Sequence, residues 1–421
     1  MGEKRLVIEG KRPLQGTVQI SGSKNSSVAL IPAALLATGP SALDNVPNIR
    51  DVKVFCEILR ELGADIQHYP EERRLIIRPN GFSSYRAPYE QVKRLRASYY
   101  LLGALLARFG RAEVALPGGC DIGIRPIDQH LKGFRSLGAE AVLEHGIVKL
   151  SAKKMVGAQV YLDLVSVGAT VNIMLAAVLA EGTTVIENAA KEPHIVDLAN
   201  YLNAMGAKVQ GAGTDVIRVK GVTSLQGCTH TIIPDDIEAG TYMLACVSAG
   251  GDLTVENVIP KHLDSICAKI AEMGAQVCDK GDSVRVISEQ RPKAVTAKTL
   301  PYPGFPTDLQ QPLVAVAAKA DGVSVIQETI YDNRFGYVNE LIRMGASIKV
   351  DGRTAIVEGV PTLYGAPVHA NDLRAGAALV IAGLGAEGET SVYRVEHVER
   401  GYDSMVDKLQ AVGASVSIKE A

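Results

Sequence analysis

The sequence predicts a mixed α/β (α+β) protein of two domains, each made from three copies of one βαβαββ unit. Three observations predict it. The chain has 421 residues, more than the ~250–300 over which one hydrophobic core usually grows. An apolar residue followed by Gly-Ala and then a strand pattern occurs six times: Leu62-Gly63-Ala64, Leu137-Gly138-Ala139, Met205-Gly206-Ala207, Met273-Gly274-Ala275, Met344-Gly345-Ala346 and Val412-Gly413-Ala414. These glycines are 75, 68, 68, 71 and 68 residues apart, so six units fill the chain. A second glycine marks an earlier point in each unit, at Gly39, Gly110, Gly182, Gly250, Gly322 and Gly388, 23 to 28 residues ahead of the first marker.

Within a unit the elements follow in a fixed order. The N-terminal strand, Arg5–Glu9 and then Gly16–Ile20, precedes the first helix and can pair with either half of the chain. A first helix is expected to end at the earlier glycine, as Leu30–Thr38 before Gly39 and Val171–Glu181 before Gly182, because left-handed backbone at a helix end favours glycine. A strand follows, such as Thr183–Glu187. A second helix, such as Val52–Leu62, closes at the repeated Gly-Ala, and two short strands such as Asp65–Tyr69 and Arg74–Arg78 complete the unit. Units of this kind bury a sheet face against helices and share a core with their neighbours.

Composition narrows the function. Forty-four Lys and Arg against 46 Asp and Glu give a net charge of −2, which gives no motive for nucleic-acid binding. No apolar run reaches the ~18 residues of a membrane span, and the N-terminus carries no secretory signal, so a cytoplasmic protein is expected. The six cysteines form no C-x-x-C pair and read as reduced thiols. There is no Walker A loop, dinucleotide fingerprint, H-E-x-x-H or G-x-S-x-G, and the eight histidines lack metal-ligand spacing, so no cofactor and no metal are expected.

One position per unit carries polar chemistry. At the start of the first helix stand Ser23-Lys24-Asn25, Arg96-Ala97-Ser98, Ser166-Val167-Gly168-Ala169-Thr170, Pro234-Asp235-Asp236, Pro306-Thr307-Asp308 and Asn371-Asp372-Leu373-Arg374. Ser, Thr, Asn and Asp there read as caps, with Ser26, Thr307 and Asn371 among the candidates. Lys24, Arg96 and Arg374 oppose the helix dipole and make sense if the site receives an anion. A base also recurs near the start of the second helix: Arg50, Arg125, Lys191, Lys261, Arg334 and Arg400. A solvated surface base explains any one of them; the recurrence suggests that several converge on a small, multiply charged substrate. The second unit is about four residues longer, and the surplus falls in Pro117-Gly118-Gly119-Cys120-Asp121-Ile122-Gly123-Ile124-Arg125-Pro126. Glycine and proline make this a loop, and a nearby base lowers a thiol's pKa.

Taken together these stretches are specific. Ser21-Gly22-Ser23-Lys24-Asn25, Leu95-Arg96-Ala97-Ser98, Pro117-Gly118-Gly119-Cys120 with Arg125-Pro126, Ser166–Thr170, Phe305-Pro306-Thr307-Asp308, Asp332-Asn333-Arg334-Phe335, Asp372-Leu373-Arg374 and Arg400-Gly401-Tyr402 occur in order. The chain closely resembles, over essentially its whole length, the UDP-N-acetylglucosamine 1-carboxyvinyltransferase family of enolpyruvyl transferases. The resemblance implies a two-domain, inside-out α/β barrel fold, with residues 24–233 in one domain and 1–23 with 234–421 in the other. It implies transfer of the enolpyruvyl group of phosphoenolpyruvate to the sugar 3-hydroxyl of UDP-N-acetylglucosamine, with loss of phosphate, through a tetrahedral ketal, as the committed step of peptidoglycan synthesis.

The resemblance also assigns roles. Lys24, Arg125 and Arg400 hold the phosphate of phosphoenolpyruvate; Lys24, Arg374 and Arg400 lie near its carboxylate. Arg96 closes that site and orders the Cys120 loop. Asp308 is the candidate base and Cys120 the candidate acid, which also forms a covalent adduct and is the target of fosfomycin. Asn25 contacts the intermediate and the sugar, with Asp308 and Ile330 on the sugar side. Ser166, Val167 and Gly168 form the diphosphate-binding helix start, and Arg96, Arg125, Pro126, Asp128 and His130 contact the nucleotide. Two places depart from the family: Asp236 stands where many relatives carry arginine, and His194 fits loosely. The nearest rival, 5-enolpyruvylshikimate-3-phosphate synthase, shares fold and chemistry but lacks a Pro-Gly-Gly-Cys loop of this kind. A non-catalytic nucleotide-sugar sensor is the rival of another class. Domain closure on the sugar nucleotide is a further expectation.

Overall fold

The computed structural model describes residues 4–116 and 126–420. They form two compact units, one of residues 4–21 with 234–420, the other of residues 22–116 with 126–233. Each unit holds three repeats and a hydrophobic core of its own.

The repeat is visible at its glycines. Gly63, Gly138, Gly206, Gly274, Gly345 and Gly413 all have φ between +89° and +102°, where a side chain is strained and glycine is not. In all six, the glycine N–H reaches back three residues and the following alanine N–H five; Gly63 bonds to the Arg60 carbonyl and Ala64 to that of Leu59, and Gly413 and Ala414 bond likewise to Gln410 and Leu409. This Schellman closure satisfies carbonyls that the helix end leaves free. One backbone device therefore recurs six times, which is why the sequence phrase does.

The earlier glycines differ from expectation. Only Gly110 and Gly250 directly follow a helix. The helix before Gly39 is Lys24–Ala33, continued by a 3-10 turn Ala34–Leu36, and the helix before Gly182 is Val167–Ala177. A short turn intervenes, and Gly182, Gly322 and Gly388 take positive φ just ahead of the next strand.

The first helices are wrapped on every side. They are Lys24–Ala33, Tyr100–Phe109 and Val167–Ala177 in one unit, and Asp236–Ala249, Gln310–Ala317 and Leu373–Gly385 in the other. From Ile237 to Ser248, and from Arg374 to Gly385, each residue is buried. Such helices must be apolar all round, and small residues let them approach: a Cβ on Gly103 would lie 2.4 Å from the Asn172 carbonyl oxygen.

Around these helices lie six small sheets. In five of them one edge strand runs parallel to its neighbour and the other pairings are antiparallel, as in Gln159–Tyr161, Thr183–Glu187, Val216–Lys220 and Lys208–Gln210. The second repeat has three strands, with the bridge Arg86–Glu113 in place of a fourth. The arrangement in each unit is helices inside and sheets outside; among the described residues no sheet closes on itself.

The N-terminal segment resolves a choice that the sequence left open. Lys4–Glu9 pairs antiparallel with Glu389–Tyr393 and Ser415–Glu420, and Leu14–Gln19 pairs parallel with Gly251–Glu256. The first repeat's own parallel edge strand is Thr229–Thr231, beside Ser41–Asp44. The repeats are thus cyclically permuted at the level of strands.

Candidate active site

The starts of the central helices present the polar groups, and each unit is described by itself. In residues 22–233, Ser23 caps Lys24–Ala33, its hydroxyl accepting from the Ser26 N–H at 3.2 Å. Ser26 is buried inside the helix and is not the cap. Lys24 is the first helical residue, with its Nζ 3.4 Å from the buried Asp51 carboxylate, and the half-buried Asn25 follows on the same turn. Arg96 opens the 3-10 turn Arg96–Tyr99, its guanidinium 5.7 Å over the Tyr99 ring.

The start of Val167–Ala177 carries no acidic residue in its first turn. Ser166 caps it by accepting from the Ala169 N–H at 3.3 Å, and the Thr170 hydroxyl donates to the Ser166 carbonyl. Val167 and Gly168 lie on the first turn, whose N–H groups have no partner within the helix. Beside Gly168 stands His130. A Cβ on Gly168 would lie 2.9 Å from both Cε1 and Nε2 of His130, so glycine is what admits the ring.

His130 is held by a residue that the sequence reading missed. The Asn172 Oδ1 accepts from the Gly103 N–H at 2.8 Å, which turns its amide nitrogen to the Tyr99 carbonyl and to His130 Nδ1, at 3.0 and 2.9 Å. Nδ1 therefore accepts, and the proton resides on Nε2, the atom beside Gly168. Burial is the main cause that lowers the His130 pKa to about 4; Asp128 opposes it and Arg96 adds to it. At neutral pH His130 is an uncharged N–H donor at a helix start. Asp128 and Pro126 lie exposed at and before the start of Asp128–Ser136. Gln129, buried behind them, donates to Asp128 and Asp163 and accepts from the Asp163 N–H.

In the unit of residues 4–21 and 234–420, Asp308 is the centre. Arg334 Nη2 donates to Oδ1 at 2.7 Å, and Arg374 Nε and Nη2 donate to Oδ2 at 3.2 and 3.0 Å. Both guanidinium groups are buried, while the carboxylate is 28% exposed. Arg374 is placed by the cap Asp372, which accepts from the Arg374 and Ala375 N–H groups; Asp372, not Asn371, is the cap. Burial works against the Arg374 charge, but Tyr402, Asp308 and Asp235 outweigh it and raise its pKa. Arg334 behaves alike: burial opposes the charge and Asp308 restores it. Arg400 is half-buried at the end of the 3-10 helix Val395–Arg400, and Ile330 is exposed three residues beyond the strand Val323–Gln327.

Of the recurrent second-helix bases among the described residues, Arg334 is the buried one, whereas Arg50 and Lys261 are exposed, Lys261 pairing with Asp264. Thr307 is not a cap. Its hydroxyl donates to the buried Glu328 and accepts from Arg334. Glu328 and Asn172 are the site residues that the sequence did not single out; Arg334 stood among the recurrent bases with no role of its own. At Asp235 the cap accepts from the Glu238 N–H, and burial together with the Asp235 charge raises the Asp236 pKa well above the ordinary carboxylate range.

Cys120 and Arg125 lie outside the described residues. Burial raises Cys56 and Cys246 to about 12 and Cys267 to about 11, which suppresses their thiolates at neutral pH. Among the described residues no group of His, Cys, Asp and Glu is placed to hold a metal ion, and no helix is long and apolar enough to cross a membrane.

Sixfold repetition, central helices and charged helix starts define a class, the enolpyruvyl transferases. A family model described as EPSP synthase (3-phosphoshikimate 1-carboxyvinyltransferase) matches residues 8–409. A protein named UDP-N-acetylglucosamine 1-carboxyvinyltransferase 3 from Caldanaerobacter subterraneus subsp. tengcongensis is 57% identical over 413 residues, 98% of this chain and 99% of that one. One of the same name from Symbiobacterium thermophilum is 55% identical over 414 residues, 98% of each chain. Among solved structures, the enolpyruvyl transferase NikO from Streptomyces tendae superposes with a TM-score of 0.88 at 26% identity, covering 100% of both chains. EPSP synthase from Acinetobacter baumannii has the same fold, with a TM-score of 0.76 at 19% identity over 99% of this chain and 100% of that one. The chain belongs to the carboxyvinyltransferase family.

Proposed function

We propose that this protein is a UDP-N-acetylglucosamine 1-carboxyvinyltransferase, which transfers the enolpyruvyl group of phosphoenolpyruvate to the sugar 3-hydroxyl and releases phosphate in peptidoglycan synthesis. The observation that carries the reading is the near full-length identity of 57% to a relative of that name. The EPSP synthase likeness, at 19%, supports the fold alone.

The chemistry needs a base for the hydroxyl proton, an acid for C3 and cations for the phosphate and carboxylate. We assign the base to Asp308 and the acid to Cys120, with covalent capture by fosfomycin at that thiol. Lys24, Arg96, Arg125, Arg374 and Arg400 are assigned to phosphoenolpyruvate. Asn25, Arg96, Arg125, Pro126, Asp128, His130, Ser166, Val167, Gly168, Asp308 and Ile330 are assigned to the nucleotide sugar. A neutral His130 N–H and bare helix N–H groups suit a diphosphate; a carboxylate with spare lone pairs suits a hydroxyl. We read residues 24–233 as one domain and 1–23 with 234–421 as the other, and place the reaction in the cytoplasm.

Phosphate release tests the reading. Release with phosphoenolpyruvate and UDP-N-acetylglucosamine, and none with shikimate 3-phosphate, is expected. Release with shikimate 3-phosphate instead contradicts it. Binding of the nucleotide sugar with no turnover at any pH favours the sensor.

A further inference from the structure

Behind Asp308 lies a buried chain of polar groups that no role given above explains. Glu328, 1% exposed, accepts four hydrogen bonds. Oε1 takes the Thr299 hydroxyl at 3.0 Å and the N–H groups of Ile330 and Tyr331 at 2.7 and 3.1 Å; Oε2 takes the Thr307 hydroxyl at 2.8 Å. A hydroxyl has one proton. Thr307 gives it to Glu328, so its oxygen accepts, and Arg334 Nη1 donates to it at 2.6 Å. The other end of the same guanidinium, Nη2, donates to Asp308 Oδ1 at 2.7 Å. Tyr331, whose N–H is fixed by Glu328, lies under the Arg334 guanidinium at 4.9 Å. Glu328 thus sets both the hydrogen-bond direction at Thr307 and the ring beneath Arg334.

We propose that Glu328 and Thr307 are positioning residues for the reaction: through Arg334 they fix the orientation and the charge of Asp308. The proposal rests on the reading of Asp308 as the base. Each step of this buried network has one direction, and both Nη groups of Arg334 are used while its buried Nε has no hydrogen-bond partner. Glu328 holds the Thr307 proton, the Thr307 oxygen and Asp308 share one planar fork, and Arg374 holds the second carboxylate oxygen. The fork geometry of arginine makes the two ends of that bridge rigid. Glu328 also fixes the backbone of Ile330, so the same carboxylate shapes a residue assigned to the sugar side.

The test is the pH profile of kcat/KM for Glu328→Gln, Thr307→Val and Thr307→Ser. In Glu328→Gln the group facing Thr307 becomes a donor once Oε1 keeps its three donors, so the Thr307 proton loses its acceptor and the grip of Arg334 on Asp308 loosens. The acidic limb, set by the ionised base, is expected to move up by about half a pH unit or more, with kcat lower by about tenfold and KM for phosphoenolpyruvate within about threefold. Thr307→Val is expected to act the same way, and Thr307→Ser, which keeps the hydroxyl, to shift the limb by less. A folded Glu328→Gln or Thr307→Val whose activity drops equally at all pH values, with the limb unmoved, overturns the proposal. If Glu328→Gln does not fold, the nearly isosteric Thr307→Val reads the same link. Asp308→Asn separates the two layers: full activity there overturns the base assignment, while its inactivity beside an unmoved limb in Thr307→Val overturns the positioning role alone.

Discussion

The two units share one backbone repeat and differ in what stands at their helix starts. In residues 22–233 the start of Val167–Ala177 is neutral, with a histidine kept uncharged by burial and an asparagine that fixes its tautomer beside it, while Lys24 and Arg96 bring single cations to the other two helix starts. In the other unit the described groups are ionic, with Asp308 between Arg334 and Arg374. Neutral donors at a helix start stabilise an incoming anion without a counter-charge that must first be displaced. A carboxylate bonded on both oxygens by buried guanidinium groups is held in one orientation. A symmetric scaffold thus carries asymmetric chemistry, and the proposed roles divide accordingly: the neutral helix start is assigned to the diphosphate, Asp308 to the proton.

Substitutions can break that division. The largest effect is expected for Asp308→Asn, which removes the proposed base and should lower turnover by about 10²–10⁴-fold. It also leaves two buried guanidinium groups without their shared charge. A stability loss on the order of 3–5 kcal/mol is expected, read as a lower midpoint of denaturant unfolding. An Asp308→Asn variant with parental turnover would end the assignment.

On the neutral side, Gly168→Ala sets a Cβ against the His130 ring and should raise KM for the nucleotide sugar by tenfold or more, with a smaller effect on KM for phosphoenolpyruvate. Equal changes in both would blur the division. The third expectation concerns pH. The unfolded chain protonates His130 near 6.5, the folded chain only near 4. Between those values the unfolded state binds more protons, so the stability that His130 contributes is present above pH 6.5 and is lost as pH falls toward 4, by up to about 3 kcal/mol. His130→Gln should flatten that slope in urea titrations at pH 4.5 and 7; an unchanged slope contradicts the neutral assignment.

The smallest effect belongs to the scaffold that the two units share. Gly206 has φ +102° and no atom near the position of an added Cβ. Gly206→Ala should therefore cost about 1–2 kcal/mol through the backbone alone, with kcat unchanged. A change in kcat would mean that the repeat glycines do more than close helices.

What the sequence disclosed follows from how local each cause is. The Gly-Ala phrase was legible because one backbone angle at each helix end excludes other residues. The strands Asp65–Tyr69, Arg74–Arg78 and Thr183–Glu187 were legible from local alternation. The partner of Lys4–Glu9 was not, since Glu389–Tyr393 lies at the far end of the chain. At the site, Lys24, Arg96 and Arg374 stood out because a cation at a helix start asks for a reason, whereas Asp308 stood out only through the family resemblance. Asn172 lies in the middle of an apolar helix and Glu328 just past a strand, places where composition gives no hint that a polar group is buried and satisfied. Thr307 looked like a cap because caps and network hydroxyls use the same residue type at the same position.

Calorimetric binding of UDP-N-acetylglucosamine to Asp308→Asn, beside its phosphate-release rate, tests the division of labour most directly. The account predicts affinity within about tenfold of the parent while turnover falls by a hundredfold or more. Affinity lost in proportion to turnover would contradict it.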